Sequence, residues 1–256
     1  MIPKIVHYCW FGGKPLPELA LKCIDSWKKF CPDYQIVEWN ESNFDFNTCP
    51  YVKEAAANRK WAFVSDYVRF YVLYRYGGVY FDTDVELIAS IDDIVEKGAF
   101  MACEQSSKGS PSVATGLGMG VEKSSPIVGE IIQDYNHDVF IADKPVTVVA
   151  RVTKILENHG YEESVHTQSV CGINIYPWDY FCPLNFFTGE MVITNNTRSI
   201  HHYNMSWQSP FRVFLKQYQI RCVKRLGKRI GNGVFVVSSI PMRFIHKAYT
   251  VFKKQK

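Results

Sequence analysis

With 256 residues, 47% of them hydrophobic and 21% charged, the chain is long enough to bury one sizeable α/β core, too short for two full-sized domains, and too apolar for disorder. Its net charge of +4 is unevenly spread: residues 208–256 hold 12 Lys/Arg and no Asp or Glu, so residues 1–207 carry 17 basic against 25 acidic residues, a net of −8. The eight cysteines form no CxxC pair and have no histidines at zinc-ligand spacing, which reads as free thiols of a reducing compartment and excludes a disulfide or zinc scaffold.

The N-terminus lacks the basic-then-apolar pattern of a signal peptide, and no stretch approaches a bilayer span, so a cytoplasmic placement is expected. Aromatics (15 Tyr, 17 Phe, 6 Trp) suit sugar and base stacking, although most will be core.

In chain order, residues 4–10 read as a first strand ending in Gly12-Gly13. Residues 19–30 have helical spacing, with Pro32 as the stop. Residues 34–39 alternate as a strand, 51–57 look helical, and 61–76 form the longest helix, closed by Gly77-Gly78. A short strand at 79–81 runs straight into Asp82-Thr83-Asp84. Next come a strand over 99–104, a Gly/Ser-rich loop over 108–120, helices over 127–135 and 146–158, and strands near 173–176 and 191–194. This order predicts an α/β sheet with helices on both faces and ligands beyond the strand ends, where Trp10, Asp82 and Asp84 fall.

Two carboxylates one residue apart, just past a buried strand, are hard oxygen ligands of the kind Mg²⁺ or Mn²⁺ takes, with room left for phosphate oxygens. A bare Asp-x-Asp is more often a solvated turn, so context decides. Asp66 and Arg69, three apart on a largely apolar helix, read as an ion pair embedded in a site that holds sugar hydroxyls. The glycines of 116–120 permit close backbone approach or merely a flexible loop. Adjacent His201 and His202 on a strand point to opposite faces, so at most one of the two would reach a given metal.

The stretches Ile2–Gly12, Ala62–Arg69, Leu73–Glu86 and His201–Trp207, in this order, resemble glycosyltransferase family 32, the DXD-containing sugar transferases of capsular and lipopolysaccharide synthesis, with yeast α-mannosyltransferases and the sugar-transferring domain of large clostridial toxins as kin. The resemblance implies a GT-A fold over residues 1–207 and a retaining, Mn²⁺- or Mg²⁺-dependent transfer of a hexose from a UDP- or GDP-sugar to a glycan or lipid-linked saccharide. It implies that Trp10 stacks on the base, that Asp66 and Arg69 hold the sugar beside Tyr80, and that Asp82 contacts the ribose or a metal-bound water. Asp84 would ligate the metal directly, completing a set of Asp82, Asp84 and His202, with His201 the competing choice; Ser206 and Trp207 would close over the diphosphate. Residues 144–154 depart from the family pattern where the acceptor is expected.

Residues 208–256 interleave Arg212, Lys216, Arg221, Lys224 and Arg225 with apolar residues at helical spacing. They read as a basic amphipathic segment for an anionic membrane surface, placing the enzyme peripherally on the inner face of the cytoplasmic membrane; no nucleic-acid motif is present. Rival readings are a non-catalytic, lectin-like sugar binder on the same fold and an aspartyl phosphatase opening at Asp82. The phosphatase lacks its downstream acidic pair, because Asp92-Asp93 comes too soon.

Overall fold

Strand β1 (Ile5–Cys9) lies between two parallel partners, β2 (Gln35–Trp39) and β3 (Gly78–Tyr80), and this trio sets the end of the sheet at which the Asp-x-Asp sequence emerges. The computed structural model describes residues 1–105, 111–205 and 208–254. It contains two compact units, Met1–Leu184 with Val192–Tyr203, and Asn185–Met191 with Asn204–Lys256.

In the first unit, helix α1 (Glu18–Phe30) buries Ala20, Cys23, Ile24 and Trp27, a single stripe at helical spacing, with Glu18 in its first turn and Lys28 and Lys29 in its last, as the helix dipole favours. Helix α2 (Pro50–Ala57) starts on a proline, which has no N–H to leave unpaired. Helix α3 (Trp61–Tyr76) is buried nearly all round, including Asp66 and Arg69. Gly77, at φ +67°, ends it by donating its N–H to Leu73 O at 2.8 Å, and Gly78, at φ +105°, turns the chain into β3.

Beyond the DXD turn come β4 (Val85–Leu87), a short helix α4 (Asp92–Val95), β5 (Phe100–Gln105), β6 (Pro111–Val113) and β7 (Met119–Val121). Helices α5 (Pro126–Asn136) and α6 (Val148–Asn158) follow, then β8 (Gln168–Val170), β9 (Ile173–Tyr176), α7 (Trp178–Phe181) and β10 (Ser199–His201).

The main sheet has the order β2-β1-β3-β7-β5-β9-β8, with β6 paired to β5. β1 pairs in parallel with β2 and β3, as β5 does with β9, and the remaining pairings are antiparallel. Side chains from α2, α3, α5 and α6 fill one face and those from α1, α4 and α7 the other, so the expected α/β sheet with helices on both faces is present. A separate two-stranded ribbon joins β10 antiparallel to β4, with His201 opposite Val85. All eight cysteines are free, and seven are buried.

Two expectations change. The loop of 108–120 gives way to β6 and β7, and β7 pairs between β3 and β5 with Gly120 opposite Phe100, so close to its ring that a Cβ would collide; residues 106–110 lie outside the described residues. The strand expected at 191–194 reduces to a single bridge residue, Met191, followed by irregular backbone and a turn at 195–196. Met191, Val192 and Ile193 are exposed, and Thr194 exchanges backbone and hydroxyl bonds with Thr197 across that turn.

In the second unit, the long helical run α8 (Pro210–Lys254) is interrupted at Gly227, whose φ of +76° is not helical. The two arms fold back on each other: Tyr218 bonds Ser238 at 2.9 Å, and Gln219 bonds Asn232 at 3.0 Å. Leu215, Cys222 and Phe235 form the buried core, flanked by Phe211, Tyr218 and Met242. No helix among the described residues is long and apolar enough to cross a membrane.

Candidate active site

Helix α3 and strand β3 deliver three charged groups to one point. Arg69 Nη2 lies 2.7 Å from Asp66 Oδ1 and 3.2 Å from Asp82 Oδ1. Tyr80, fully buried at the end of β3, donates its hydroxyl to Asp82 Oδ1 at 3.0 Å, and the guanidinium sits 4.9 Å from the Tyr80 ring centroid. Arg69 and Asp66 are both buried, and the Asp82 carboxylate is partly open.

Burial pushes the Asp66 carboxyl up to about 7, with Asp82 adding to the rise and Arg69 opposing it. For Arg69, burial alone would lower the pKa, but Asp82, Tyr80 and Asp66 more than offset it, so the guanidinium stays charged. The ion pair is therefore held against the cost of burying Asp66.

Gly116 makes this close packing possible. Its carbonyl accepts the Asp82 N–H at 2.8 Å. A methyl group on Gly116 would overlap the Asp82 carboxylate and come within 2.8 Å of Arg69 Nη1. Of the two readings of these glycines, close approach is the one observed at this position.

On the far side of the turn, the ribbon of β4 and β10 sets the second carboxylate. His201 Nε2 lies 3.2 Å from Asp84 Oδ1, while His202 Nε2 lies 2.7 Å from Glu86 Oε2, which also takes Lys22 at 2.8 Å. Strand alternation thus turns the neighbouring imidazoles to different carboxylates, His201 to Asp84 and His202 to Glu86. Burial alone would lower the His201 pKa, but Asp84, with help from Cys182, pushes it well up. The buried Nδ1 of His201 has no hydrogen-bond partner among the described residues.

Around Glu104, an acid available from the sequence, Tyr203 and Cys182 form a layer to which sequence reasoning gave no role. The hydroxyl of Tyr203, whose ring centroid is 4.1 Å from that of His201, donates to Glu104 Oε2 at 3.1 Å and lies 3.0 Å from Cys182 Sγ. Burial raises the Glu104 pKa, and His201 and Tyr203 oppose the rise. Below Asp66, buried Arg151 pairs with Asp134 and Asp138 and stacks 4.2 Å from the Tyr135 centroid. Its signal in the sequence was an arginine on the apolar face of α6, in register with Val148, Val152 and Ile155.

Trp10 is half-buried just past β1, its indole N–H donating to Lys14 O at 2.6 Å. Ser206 and Trp207 lie outside the described residues.

Among the described residues no group of three or more His, Cys, Asp or Glu stands ready to enclose a cation. The donors present are the Asp84 carboxylate facing the His201 imidazole, with Asp82 across the turn in the hold of Arg69. Such a hard, partial shell fits a divalent ion that takes its other ligands from water and a diphosphate.

Residues 17–101 match the family profile described as "Glycosyltransferase sugar-binding region containing DXD motif". Over these residues the chain resembles the DXD-containing sugar-binding region of glycosyltransferases, a match that stops short of family 32 itself. The chain is 27% identical over 146 residues to inositol phosphoceramide mannosyltransferase 3 of Schizosaccharomyces pombe, covering 52% of this chain and 37% of that protein. It is 26% identical over 145 residues to mannosyl phosphorylinositol ceramide synthase CSH1 of Saccharomyces cerevisiae, covering 54% and 36%. The chain thus spans little more than a third of the length of these curated relatives. Among solved structures it is similar to PaToxG glycosyltransferase, at TM-score 0.47 and 21% identity over 61% of this chain and 69% of that one.

Proposed function

We propose that the chain is a retaining, metal-dependent glycosyltransferase that moves a hexose from a UDP- or GDP-sugar to a glycan or lipid-linked saccharide, in the synthesis of a surface polysaccharide. Mannose is the leading candidate sugar, because the curated relatives are named as mannosyltransferases or mannosyl transfer enzymes. The carrying observation is the pairing of two assemblies across one turn: Asp66–Arg69–Asp82 with Tyr80 on one side, and Asp84 with His201 on the other.

On this reading Asp66 and Arg69 hold sugar hydroxyls, Trp10 stacks on the base, Ser206 and Trp207 cover the diphosphate, and Asp84, Asp82 and His201 hold Mn²⁺ or Mg²⁺. The bound ion supplies charge neutralisation at the departing diphosphate. A buried Arg69, held between Asp66 and Asp82, would position the sugar with its charge already compensated by neighbouring acids.

A covalent route needs a carboxylate beneath the anomeric carbon; Glu104 is engaged by Tyr203 and Asp143 is exposed, so we favour front-face displacement. The bond from the anomeric carbon to the phosphate oxygen breaks, the acceptor oxygen bonds that carbon from the same face, and the acceptor proton passes to the leaving phosphate.

The test is donor hydrolysis across UDP- and GDP-hexoses with Mn²⁺ or with EDTA. One donor is expected to turn over, EDTA is expected to stop it, and Asp84→Ala is expected to lower turnover by about 10²-fold or more without unfolding. Near-normal turnover by Asp84→Ala with metal present would sink the assignment. Sugar binding without hydrolysis would favour the lectin-like role, and phosphate release from generic esters the phosphatase.

A further inference from the structure

The two arms of α8 use their apolar residues differently. The first arm turns Leu215, Tyr218 and Cys222 inward against Phe235 of the second arm. Gly231 lets the arms touch, since a Cβ there would sit 2.5 Å from the Cys222 carbonyl oxygen. The apolar stripe read from the sequence at 211–226 is thus largely consumed in holding the pair together.

The second arm keeps an apolar face uncovered. Ile230, Val234, Val237, Ile240 and Phe244 recur at three- and four-residue steps, so they share one side of the helix. All are exposed, Val237 and Phe244 to 70% and Ile230 to 64%. Over 230–245 the one charged residue is Arg243. A contiguous exposed apolar face of this kind marks a contact surface.

Charge decides what it contacts. Arg212, Arg221, Lys224, Arg225, Arg229 and Arg243 are all exposed, and residues 208–256 contain no acid to neutralise them. Lys216 stands apart, drawn over the Phe186 ring at 3.8 Å, where burial lowers its pKa to about 8. A second copy of this unit would bring like charge to like charge. An anionic lipid surface supplies both a non-polar layer for the helix face and phosphates for the bases.

We propose that the second arm of α8 lies in the plane of an anionic bilayer, with Val237 and Phe244 below the headgroups and the exposed Arg212, Arg221, Lys224, Arg225, Arg229 and Arg243 on the lipid phosphates. The inserting element is therefore 230–245, not the more basic stretch before Gly227.

The test is flotation of the full chain with phosphatidylcholine vesicles, with and without about one third phosphatidylglycerol. Wild type is expected to float with the anionic vesicles only, less so as salt rises from about 0.05 to about 0.5 M. Val237→Asp/Phe244→Asp is expected to reduce flotation at least about tenfold with an unchanged far-ultraviolet spectrum. If that pair disturbs the fold, Phe244→Ala is expected to give a smaller loss in the same direction. Arg221→Gln/Arg225→Gln is expected to weaken binding to anionic vesicles and flatten its salt dependence. Equal flotation of the Asp variant and wild type, or equal binding to neutral vesicles, overturns the proposal. So does light scattering that shows a wild-type dimer, dissolved by the Asp pair, with neither form floating.

Discussion

Arg69 gives one guanidinium to two carboxylates and a phenol ring, and the geometry of the site depends on each of them staying in place. Asp66 is the costliest member. It holds its proton up to about 7 rather than 3.8, because burial penalises the carboxylate. Between those values the folded state binds a proton that the unfolded chain has released, so this contribution to stability is present at low pH and is lost as pH rises through the window. Asp66→Asn removes it, so the melting temperature of the variant relative to wild type is expected to climb from about pH 4 to about pH 8, measured by scanning calorimetry. Wild-type turnover is expected to rise through the same window, since the ionised carboxylate accepts sugar hydroxyls, and Asp66→Asn to lose turnover at every pH. A melting difference independent of pH would refute the burial account.

Gly116 belongs to the same scale. Gly116→Ala has no free volume beside the Asp82 carboxylate, so the expected result is displacement of Asp82 from Tyr80 and Arg69. Donor turnover is expected to fall by about 10²-fold with little change in melting temperature, because a misplacement of about 1 Å is enough. Full activity in the alanine variant would show that Asp82 does not need this position.

Among elements, the junction of β1, β2 and α3 is held by a side chain to which the motif Ile2–Gly12 assigned no role. His7, buried in the centre of β1, accepts the Trp39 indole N–H at its Nδ1 at 3.1 Å and donates its Nε2–H to Gly77 O at 2.9 Å. Those two bonds define the neutral tautomer, and burial, only partly opposed by the Gly77 bond, lowers the His7 pKa. The stabilisation is complete above the ordinary histidine value of 6.5 and falls as pH drops through it. His7→Leu leaves a buried carbonyl and a partly buried indole N–H unpaired, at a cost on the order of 2–4 kcal/mol in urea unfolding. The loss is expected to be largest above pH 7 and to shrink in acid; a pH-independent loss would point to packing alone.

At the scale of the whole molecule, the two units differ in what holds them. The first has two extensive cores on opposite faces of its sheet, whereas the second buries little beyond Leu215, Cys222 and Phe235. A core that small supplies little stability of its own. Hydrogen exchange is expected to show amides of 210–245 opening at least about 10²-fold faster than those of α3. Anionic vesicles are expected to slow exchange across 210–245, most strongly in 230–245, and not in α3. Uniform protection across both units would contradict this division.

The strongest local patterns determined most of the layout without help from the fold. Helix α3 was legible to the residue, because sixteen positions of apolar run end at Gly77-Gly78. β1, β2, β5 and β9 lie where short apolar stretches sit between turn signals, and Asp66, Arg69, Asp82 and Asp84 stood out as acids and a base inside such stretches. What the sequence alone could not decide was anything set by contact between distant segments. Two adjacent histidines are equivalent until β10 pairs with β4 and turns His201 to Asp84 and His202 to Glu86. The 116–120 glycines read as a loop until β7 enters the sheet, and the exposed, largely irregular segment 191–194 imitates a strand because Met191, Val192 and Ile193 are apolar. Likewise, the apolar stripes of 210–245 look alike along the chain, and only the fold-back at Gly227 buries one and leaves the other exposed. Periodicity records which residues share a face; what that face meets depends on pairing across the chain, which no local pattern encodes.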